Sequence, residues 1–329
     1  MTIELSRRGM LAGLAAVGAS VGLGGLARGS MLERPLPKGA AAKRSIRLAH
    51  LTDSHIQPEL GADQGTAACF RHAQSQKDKP ELILTGGDHV MDSLATDDAR
   101  TTLQWDLWKK VLKSESSLPV KSAVGNHDCW GWNKKKSKTA GTEANYGKKR
   151  ACEVFGREKP YTSWDQAGWH FVILDSITDL GQGDGGYLGR LDNEQLAWLE
   201  GDLAGVKKET PVLILSHIPI VAGCIWDGNT TLNAANKLEI NGGLVHTDAG
   251  ALIKLFQKHP NVKLCISGHV HLVDRVDYNG VTYLCNGAVS GGWWKGNHKQ
   301  CEPGYAMIDL FDDGTFKSEY QTYGWKAKS

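Results

Sequence analysis

The chain has 329 residues, of which 41% are hydrophobic and 22% are charged. This composition is typical of a globular protein and excludes a disordered, collagen-like or coiled-coil chain. The net charge of +2 gives no support for general nucleic-acid binding, and seven cysteines without a C-x-x-C pair exclude a disulfide scaffold and a zinc ribbon.

The first 44 residues carry the basic excess, with seven Lys or Arg against two Glu, whereas residues 45–329 have a net charge of −3. Arg7 and Arg8 precede an uncharged stretch, 9–27, in which six of nineteen residues are Gly. A weakly apolar stretch after paired arginines is typical of a twin-arginine export signal. The alternative is an uncleaved membrane anchor, because a stretch of this length can span a bilayer.

We therefore predict that residues 1–44 are a twin-arginine signal peptide and linker. The protein is then expected to be exported, to the periplasm or the extracellular space, with the twin-arginine export machinery as a partner. Membrane anchoring is expected instead if the segment stays uncleaved. Residues 45–329 show no convincing boundary signal and are expected to form one domain.

That domain alternates short apolar runs with longer amphipathic segments. Strands are predicted at 46–51, 82–85, 120–124, 171–174, 212–215, 263–266, 281–285, 305–310 and 315–322, and helices at 64–77, 97–113, 192–206 and 248–258. Short runs rich in Val, Ile and Leu are typical of strands that are covered on both faces. Strand–helix alternation followed by several strands predicts a mixed sheet, or two packed sheets, with helices outside.

Polar side chains follow five of these strands. They are Asp53 and His55 after 46–51, Asp88 after 82–85, Asn126, His127 and Asp128 after 120–124, His217 after 212–215, and His269 and His271 after 263–266. Each group alone is ordinary turn or cap chemistry. The loops at the carboxyl ends of strands form the functional crevice of α/β sheets, so five such groups in order predict a functional site.

These motifs resemble the signature of the calcineurin-like metallophosphoesterases: Asp53-Ser54-His55, Gly87-Asp88, Gly125-Asn126-His127-Asp128, His217 and Gly268-His269-Val270-His271. The resemblance covers about residues 45–300 and keeps the family's motif order. It implies an α/β fold, a four-layer αββα sandwich of two mixed β-sheets flanked by helices, with two metal ions at the sheet edge. Residues 45–329 are then the catalytic domain.

The resemblance also implies a ligand set for each ion. One metal would bind Asp53, His55 and His271, the other would bind Asn126, His217 and His269, and Asp88 would bridge the two. Carboxylate, amide and imidazole donors suit divalent or mixed-valence Mn, Fe or Zn. Ions that share a carboxylate lie about 3.5–4 Å apart, and a hydroxide that bridges them is the expected nucleophile.

His127 is not needed as a ligand in this set. We predict that it is the general acid that protonates the leaving oxygen. A carboxylate could orient its ring, and Asp128 and Asp92 are both candidates. Many calcineurin-like metallophosphoesterases have a carboxylate or tyrosine three residues after the bridging Asp, where this sequence has Met91. His89 is expected to pack near the site without ligating.

Other residues have weaker signals. Trp130, Trp132, Trp293 and Trp294 could form apolar walls for a substrate's organic group or be plain core residues. The stretch 221–246 lacks periodicity and is interpreted as a lid over the site. Cys265 and Cys285 lie in apolar strands and are expected to be core residues.

The sequence thus predicts a dinuclear-metal hydrolase of small phosphoesters, such as a nucleotide, a lipid headgroup or a sugar ester. A phosphodiesterase is favoured because nothing resembles the compact basic pocket that a monoester dianion needs. A phosphomonoesterase of the same family is the alternative, and a non-catalytic binding protein on the same fold is a second one. No stable nucleic-acid partner is expected, because residues 45–329 are net acidic.

Overall fold

The structure, a computed structural model, describes residues 42–227 and 230–328. The predicted export signal lies outside these residues apart from its last three positions. Within the described ranges, no helix has both the length and the apolar composition to cross a membrane.

Two mixed β-sheets form the centre of the fold. The first has the strand order β15-β14-β1-β2-β3 and the second β12-β13-β11-β8-β5-β4, and two short hairpins pair β6 with β7 and β9 with β10. The first sheet contains β1 (Arg44–Leu51), β2 (Leu82–Thr85), β3 (Val120–Ser122), β14 (Gly304–Phe311) and β15 (Phe316–Thr322). The second contains β4 (Thr162–Gln166), β5 (Trp169–Ile173), β8 (Val212–Leu215), β11 (Val262–Ser267), β12 (Val273–Tyr278) and β13 (Val281–Asn286). The hairpin strands are β6 (Ile177–Asp179), β7 (Tyr187–Gly189), β9 (Thr230–Leu232) and β10 (Leu238–Ile240).

Helices cover the outer faces of both sheets. α1 (Ala62–Gln74), α2 (Asp98–Glu115) and α4 (Lys149–Val154) pack on the first sheet, and α5 (Asn193–Gly205) and α6 (Ala249–Lys258) pack on the second. A short helix, α3 (Lys134–Ser137), lies in the chain between β3 and α4. Carboxylates cap the N-termini of α2 and α5: Asp97 accepts from Arg100 N at 3.1 Å, and Asp192 accepts from Gln195 N at 2.7 Å. Such caps satisfy main-chain donors that a first turn leaves unpaired.

Alternate residues of each central strand pack into different layers. In β1, Leu48 lies between the two sheets, whereas Ala49 faces the helix layer that contains Phe70 and Trp108. In the second sheet, the odd-numbered leucines of β8 point between the sheets, whereas Ile214 packs with residues of α5 and α6. Because both faces of these strands are buried, their sequences are continuous apolar runs.

The predicted four-layer αββα sandwich is confirmed. All nine predicted strands and all four predicted helices correspond to observed elements, with ends shifted by up to three residues. The strands that the sequence did not reveal are the edge strands β4 and β12 and the two short hairpins. Polar and charged residues make up at least half of β4 and of β12, so neither has the apolar run that marks a strand covered on both faces.

Candidate metal centre

Five parallel strands deliver the polar motifs to one edge of the sandwich. β1, β2 and β3 are parallel neighbours in the first sheet, and β8 and β11 are parallel neighbours in the second. Their carboxyl ends therefore open onto the same edge, where the loops after them meet. The motifs converge there as the sequence predicted.

One group of donors combines the first and the last motif. Donor atoms of Asp53, His55 and His271 lie within 4.8 Å of one another, and all three side chains are buried. Nε2 of His271 lies 3.2 Å from Oδ1 of Asp53 and 3.0 Å from Nε2 of His55.

A second group lies beside it. Donor atoms of Asp88, His217 and His269 lie within 4.8 Å of one another. Nε2 of His217 is 3.3 Å from Oδ2 of Asp88 and 3.1 Å from Oδ1 of Asn126. The structure thus brings all four side chains of the predicted second ligand set together.

Asp88 belongs to the second group and also lies near His55 of the first. The same oxygen, Oδ2, lies 3.3 Å from Nε2 of His217 and 3.6 Å from Nε2 of His55. Its other oxygen accepts from the main-chain N–H of His127 at 2.8 Å, which holds the carboxylate in place. This position between the groups is the one that a bridging carboxylate needs.

Main-chain carbonyls orient three of the imidazoles. Nδ1 of His217 donates to Gly86 O at 2.8 Å, Nδ1 of His271 donates to Gly291 O at 2.6 Å, and Nε2 of His269 donates to Gly243 O at 2.8 Å. A carbonyl only accepts, so each bonded nitrogen carries a hydrogen, and in the neutral ring the other nitrogen carries the lone pair. Metal-binding imidazoles are held in this way.

The donor atoms therefore fit cations. With its hydrogen on Nδ1, a neutral His217 directs a lone pair at two oxygens that are also acceptors, and a positive charge must lie among them. In the protein alone a proton supplies it: burial opposes the charge, but Asp88 and Asp53 outweigh burial and raise the pKa of His217 to about 9. Burial likewise favours neutral Asp88, yet the neighbouring His217 and His127 keep its pKa well below the usual range. Hard oxygen and imidazole donors suit Mn, Fe and Zn.

The backbone is strained at these positions. Asp53, His55, Asp88, His269 and His271 all have positive φ, between 43° and 67°. Residues other than glycine rarely adopt this left-handed conformation, and the strain concentrates at functional sites. Close approach adds a second constraint, because a Cβ at Gly125 would lie 2.1 Å from Oδ1 of Asp88 and one at Gly268 would lie 2.1 Å from Oδ2 of Asp53.

His127 lies at the rim of the centre, half-buried, with its ring 4.6 Å from that of His55 and nearly perpendicular to it. The partner of its Nδ1 is the main-chain carbonyl of Met91. This differs from the prediction that Asp128 or Asp92 orients the ring. No sequence signal marks a carbonyl as a partner, because every residue has one.

The two carboxylates have structural contacts instead. Asp128 is fully buried and accepts from the main-chain N–H of His89 and of Gly125 and from Nδ1 of His89, all at 2.9 Å. Asp92 accepts from the N–H of Ala95 at 2.9 Å. These contacts explain why neither carboxylate orients His127. The side chain of Asp128 is bonded to His89 and Gly125, and that of Asp92 is bonded to Ala95 in the turn before α2. His89 packs against Trp105, Trp108 and Phe155.

Four tryptophans were candidates for the apolar wall of a substrate pocket. Of these, Trp293 is partly exposed and lies beside the metal centre. Its ring lies 4.5 Å from that of His271 and 6.0 Å from that of His55. Trp294 is buried, and its Nε1 donates to the carbonyls of Ser54 and His55 at 2.9 and 3.0 Å. Trp130 and Trp132 are also buried, beneath the cations of Arg150 and Lys148.

The comparison with protein families decides the class. The model of the calcineurin-like phosphoesterases matches residues 46–273, which include both donor groups. The chain belongs to the calcineurin-like phosphoesterase family. This phosphoesterase is a metal-dependent hydrolase of phosphoric esters, in a family that depends on a dinuclear metal centre, so the prediction of the enzyme class is confirmed.

Individual proteins are similar over most of this phosphoesterase. The 3′,5′-cyclic adenosine monophosphate phosphodiesterase CpdA of Escherichia coli is 29% identical over 305 residues, which cover 88% of this chain and 93% of that protein. A 3′,5′-cyclic-nucleotide phosphodiesterase from Nostoc is 22% identical, with 85% of this chain and 93% of that protein covered. A crystal structure of a dimetal phosphatase from Danio rerio superposes with a TM-score of 0.54 at 13% identity, covering 86% of this chain and all of that chain, and shows the shared fold.

Proposed function

We propose that this phosphoesterase hydrolyses phosphodiesters and that 3′,5′-cyclic nucleotides are its substrates. The observation that carries this proposal is its similarity to two cyclic-nucleotide phosphodiesterases along 85–88% of the chain. The family model, which matches residues 46–273, covers all five motif loops. A nucleotide also fits the rim of the centre, where the aromatic ring of Trp293 lies beside the polar donor groups.

In this proposal Asp53, His55 and His271 hold one ion, Asn126, His217 and His269 hold the other, and Asp88 contacts both. Mn, Fe or Zn is the proposed metal, because the described donors of both groups are oxygen and imidazole nitrogen. Ions bound there supply charge that offsets the phosphoryl oxygens and lower the pKa of water to near neutrality. The chain's own contribution is to fix the donors before substrate arrives, through the carbonyl contacts and the strained loops.

His127 is the proposed proton donor to the leaving oxygen. Its Nδ1 is committed to the carbonyl of Met91, which leaves Nε2 as the nitrogen that can transfer a proton. Its main-chain N–H binds Asp88 at 2.8 Å, so its backbone is fixed relative to both donor groups. Opening a cyclic phosphodiester expels a sugar alkoxide, which is a poor leaving group and needs that proton.

Trp293 is the proposed contact for the organic part of the substrate. Its ring packs on His271, and its backbone has a φ of 53°, held by a hydrogen bond from Trp294 N to Ser290 O at 2.8 Å. Every nucleobase has a face that can stack on such a ring. The base would then lie beside the metal centre with its phosphate over Asp88.

Export remains part of this proposal. Paired Arg7 and Arg8 ahead of the weakly apolar stretch 9–27 support a twin-arginine signal, with residues 45–329 as the exported catalytic domain. An Arg7→Lys/Arg8→Lys variant is expected to accumulate in the cytoplasm, whereas an Arg28→Lys variant is the matched control. Normal export of the double variant would exclude this route, and fractionation with N-terminal sequencing of the exported product is the measurement.

The diester preference can be tested with chromogenic substrates. The purified full chain, stripped with chelator and reloaded with Mn²⁺, is assayed on bis(p-nitrophenyl) phosphate and on p-nitrophenyl phosphate side by side. Higher kcat/KM on the diester supports the proposal. Higher kcat/KM on the monoester would replace it with a phosphomonoesterase, and two bound ions without turnover of either would favour a binding protein.

A further inference from the structure

A second cluster of reactive side chains lies outside the metal centre and consists of three residues. Sγ of Cys224, Sγ of Cys285 and a carboxylate oxygen of Asp274 lie within 4.8 Å of one another. Cys285 is in β13 and is 1% exposed, whereas Cys224 is partly exposed in the segment between β8 and α6. The sequence placed Cys285 in the core and gave no sign of a partner.

The sheet register explains how the cluster is assembled. Asp274 in β12 is directly opposite Cys285 in β13, so their side chains lie on the same face of the sheet. Oδ2 of Asp274 accepts from the main-chain N–H of Gly223 at 2.6 Å and of Cys224 at 2.9 Å. The carboxylate thereby fixes the backbone of Cys224 above Cys285.

The two sulfurs lie within 4.8 Å of one another in this arrangement. The neighbouring Cys224 thiol, together with burial, raises the pKa of the Cys285 thiol well above its usual range. The nearby Cys301 has other partners: its Sγ is 3.6 Å from the hydroxyl of Tyr320 and 3.6 Å from the carbonyl of Glu302. Cys224 and Cys285 are therefore a matched pair in which one thiol is accessible and the other is held behind it.

We propose that Cys224 and Cys285 form a disulfide that fastens the 217–248 segment to the second sheet. A small disulfide, such as oxidised glutathione, first exchanges with the accessible Cys224 thiol, which gives a mixed disulfide and releases one thiol. The Cys285 thiol then loses its proton and attacks the Cys224 sulfur, which expels the second thiol. The protein loses two hydrogens and the oxidant is reduced to two thiols.

A bound metal ion fits the cluster less well. Asp274 already accepts three main-chain N–H groups, the two above through Oδ2 and that of Arg275 through Oδ1 at 2.8 Å. Two thiolates and one committed carboxylate fall short of the four ligands of a structural zinc site. The geometry points to the cross-link.

The cross-link would act on the metal centre's surroundings as well as on stability. The 217–248 segment begins at His217 and contains Gly243, whose carbonyl accepts from Nε2 of His269 at 2.8 Å. Joining Cys224 to Cys285 closes a loop of about sixty residues, and closure of such a loop stabilises a protein by restricting its unfolded chain. The oxidised protein should therefore hold this segment more firmly than the reduced protein.

The test is to equilibrate the purified full chain in glutathione buffers from reducing to oxidising and then to alkylate it, digest it and map it by mass spectrometry. We expect a Cys224–Cys285 peptide, two fewer free thiols, and a melting temperature about 5 °C or more above that of the reduced protein. Cys224→Ser should abolish all three effects. Cys301→Ser, at a neighbouring sulfur, should keep them.

Three results would overturn the proposal. They are seven free thiols in strongly oxidising buffer, a cross-link from Cys224 to Cys301, or thiols that stay reduced while holding one equivalent of Zn²⁺ that Cys224→Ser removes. If Cys301→Ser fails to fold, the peptide map of the wild-type chain alone still distinguishes the two pairings.

Discussion

Nε2 of His55 lies 3.0 Å from Nε2 of His271, although the other nitrogen of His271 already donates its hydrogen to Gly291 O. Within the described residues, Nδ1 of His55 is buried without a hydrogen-bond partner. Burial also lowers the pKa of His55 well below its usual range, so its ring stays neutral. The Nε2 atoms of the two imidazoles and a carboxylate oxygen of Asp53 thus lie within 4.8 Å of one another, a spacing at which one cation could bind all three.

The shared position of Asp88 leads to the first prediction. Asp88→Asn removes the charge that lies near both His55 and His217, so both ions should be held more weakly. We expect metal content after dialysis, measured by inductively coupled plasma mass spectrometry, to fall at both positions. Asp92→Asn is the matched control, because Asp92 contacts Ala95 outside the donor groups. Unchanged metal content in Asp88→Asn would remove the residue from its bridging role.

His127→Ala tests proton donation separately from metal binding. The variant should keep both ions but lose about 10²–10⁴-fold in kcat on diesters with alkoxide leaving groups, the usual contribution of general acid catalysis. On diesters with nitrophenolate leaving groups the loss should be small. His72→Ala, which alters a helix side chain near Tyr305, is the control. Equal losses on both classes of diester would argue against proton donation by His127.

Asp128 should affect stability rather than leaving-group dependence. Asp128→Ala leaves the buried N–H groups of Gly125 and His89, and Nδ1 of His89, without an acceptor. We expect the free energy of unfolding, measured with urea in chelator, to fall by about 3 kcal/mol. The residual activity should keep the wild-type ratio between good and poor leaving groups. A change in that ratio would restore Asp128 as a catalytic partner of His127.

A pH dependence is expected from His170, which lies on β5 away from the metal centre. Burial lowers the pKa of His170, but hydrogen bonds to Asp202 and Asp165 outweigh burial and raise it above the usual value. Burial also opposes the charge of Asp202, yet His170 lowers the pKa of that carboxyl. The pair's stabilisation is therefore present between about pH 4 and pH 6.5 and is lost as pH rises through the raised pKa of His170.

The measurement is the free energy of unfolding of wild type and His170→Asn across pH 5–9 in chelator. The difference between the two proteins should be largest near pH 5–6 and should shrink toward pH 9. In an Asp202→Asn background the dependence should flatten, because Asp202 makes the first of the two hydrogen bonds that raise the pKa. A difference that grows with pH would have the wrong sign for this pair.

Trp293→Ala tests the contact with the base. Stacking of a base on an aromatic ring contributes about 1–3 kcal/mol, so inhibition by AMP should weaken by roughly 10-fold or more. Inhibition by inorganic phosphate, which has no base, should stay the same. Trp198→Ala on α5, against Tyr161, is the control. Equal weakening of both inhibitors would instead assign Trp293 to the support of His271.

The sequence predicted the strands that are buried on both faces. β2 and β8 have the predicted bounds, because an unbroken apolar run is the direct consequence of a strand between two packed layers. The edge strand β12 was missed, since three of the six residues in its sequence VDRVDY are charged and no apolar run marks it. The position of each polar motif directly after a predicted strand also predicted that the donors meet at one edge of the sheets, because parallel strands end at a common edge.

The sequence could not show contacts made by main-chain atoms. Met91 O, Gly86 O and Gly243 O orient three imidazoles, yet any residue at those positions offers the same carbonyl. Asp128 and Asp92 were left as two candidates for orienting His127 for the same reason. Asp128 is next to His127 in the sequence, which suggested a contact, whereas the tight Asn126–Asp128 turn directs the side chain of Asp128 to His89.

The most direct test of the account is the hydrolysis of 3′,5′-cyclic AMP by the purified full chain, followed by chromatography of the products. The chelated protein should be inactive, and Mn²⁺ should restore conversion of cyclic AMP to AMP in wild type and Asp92→Asn but not in Asp88→Asn. AMP should accumulate as the end product. Release of phosphate from AMP without cleavage of cyclic AMP, or equal activity of the Asp88→Asn variant, would contradict the account.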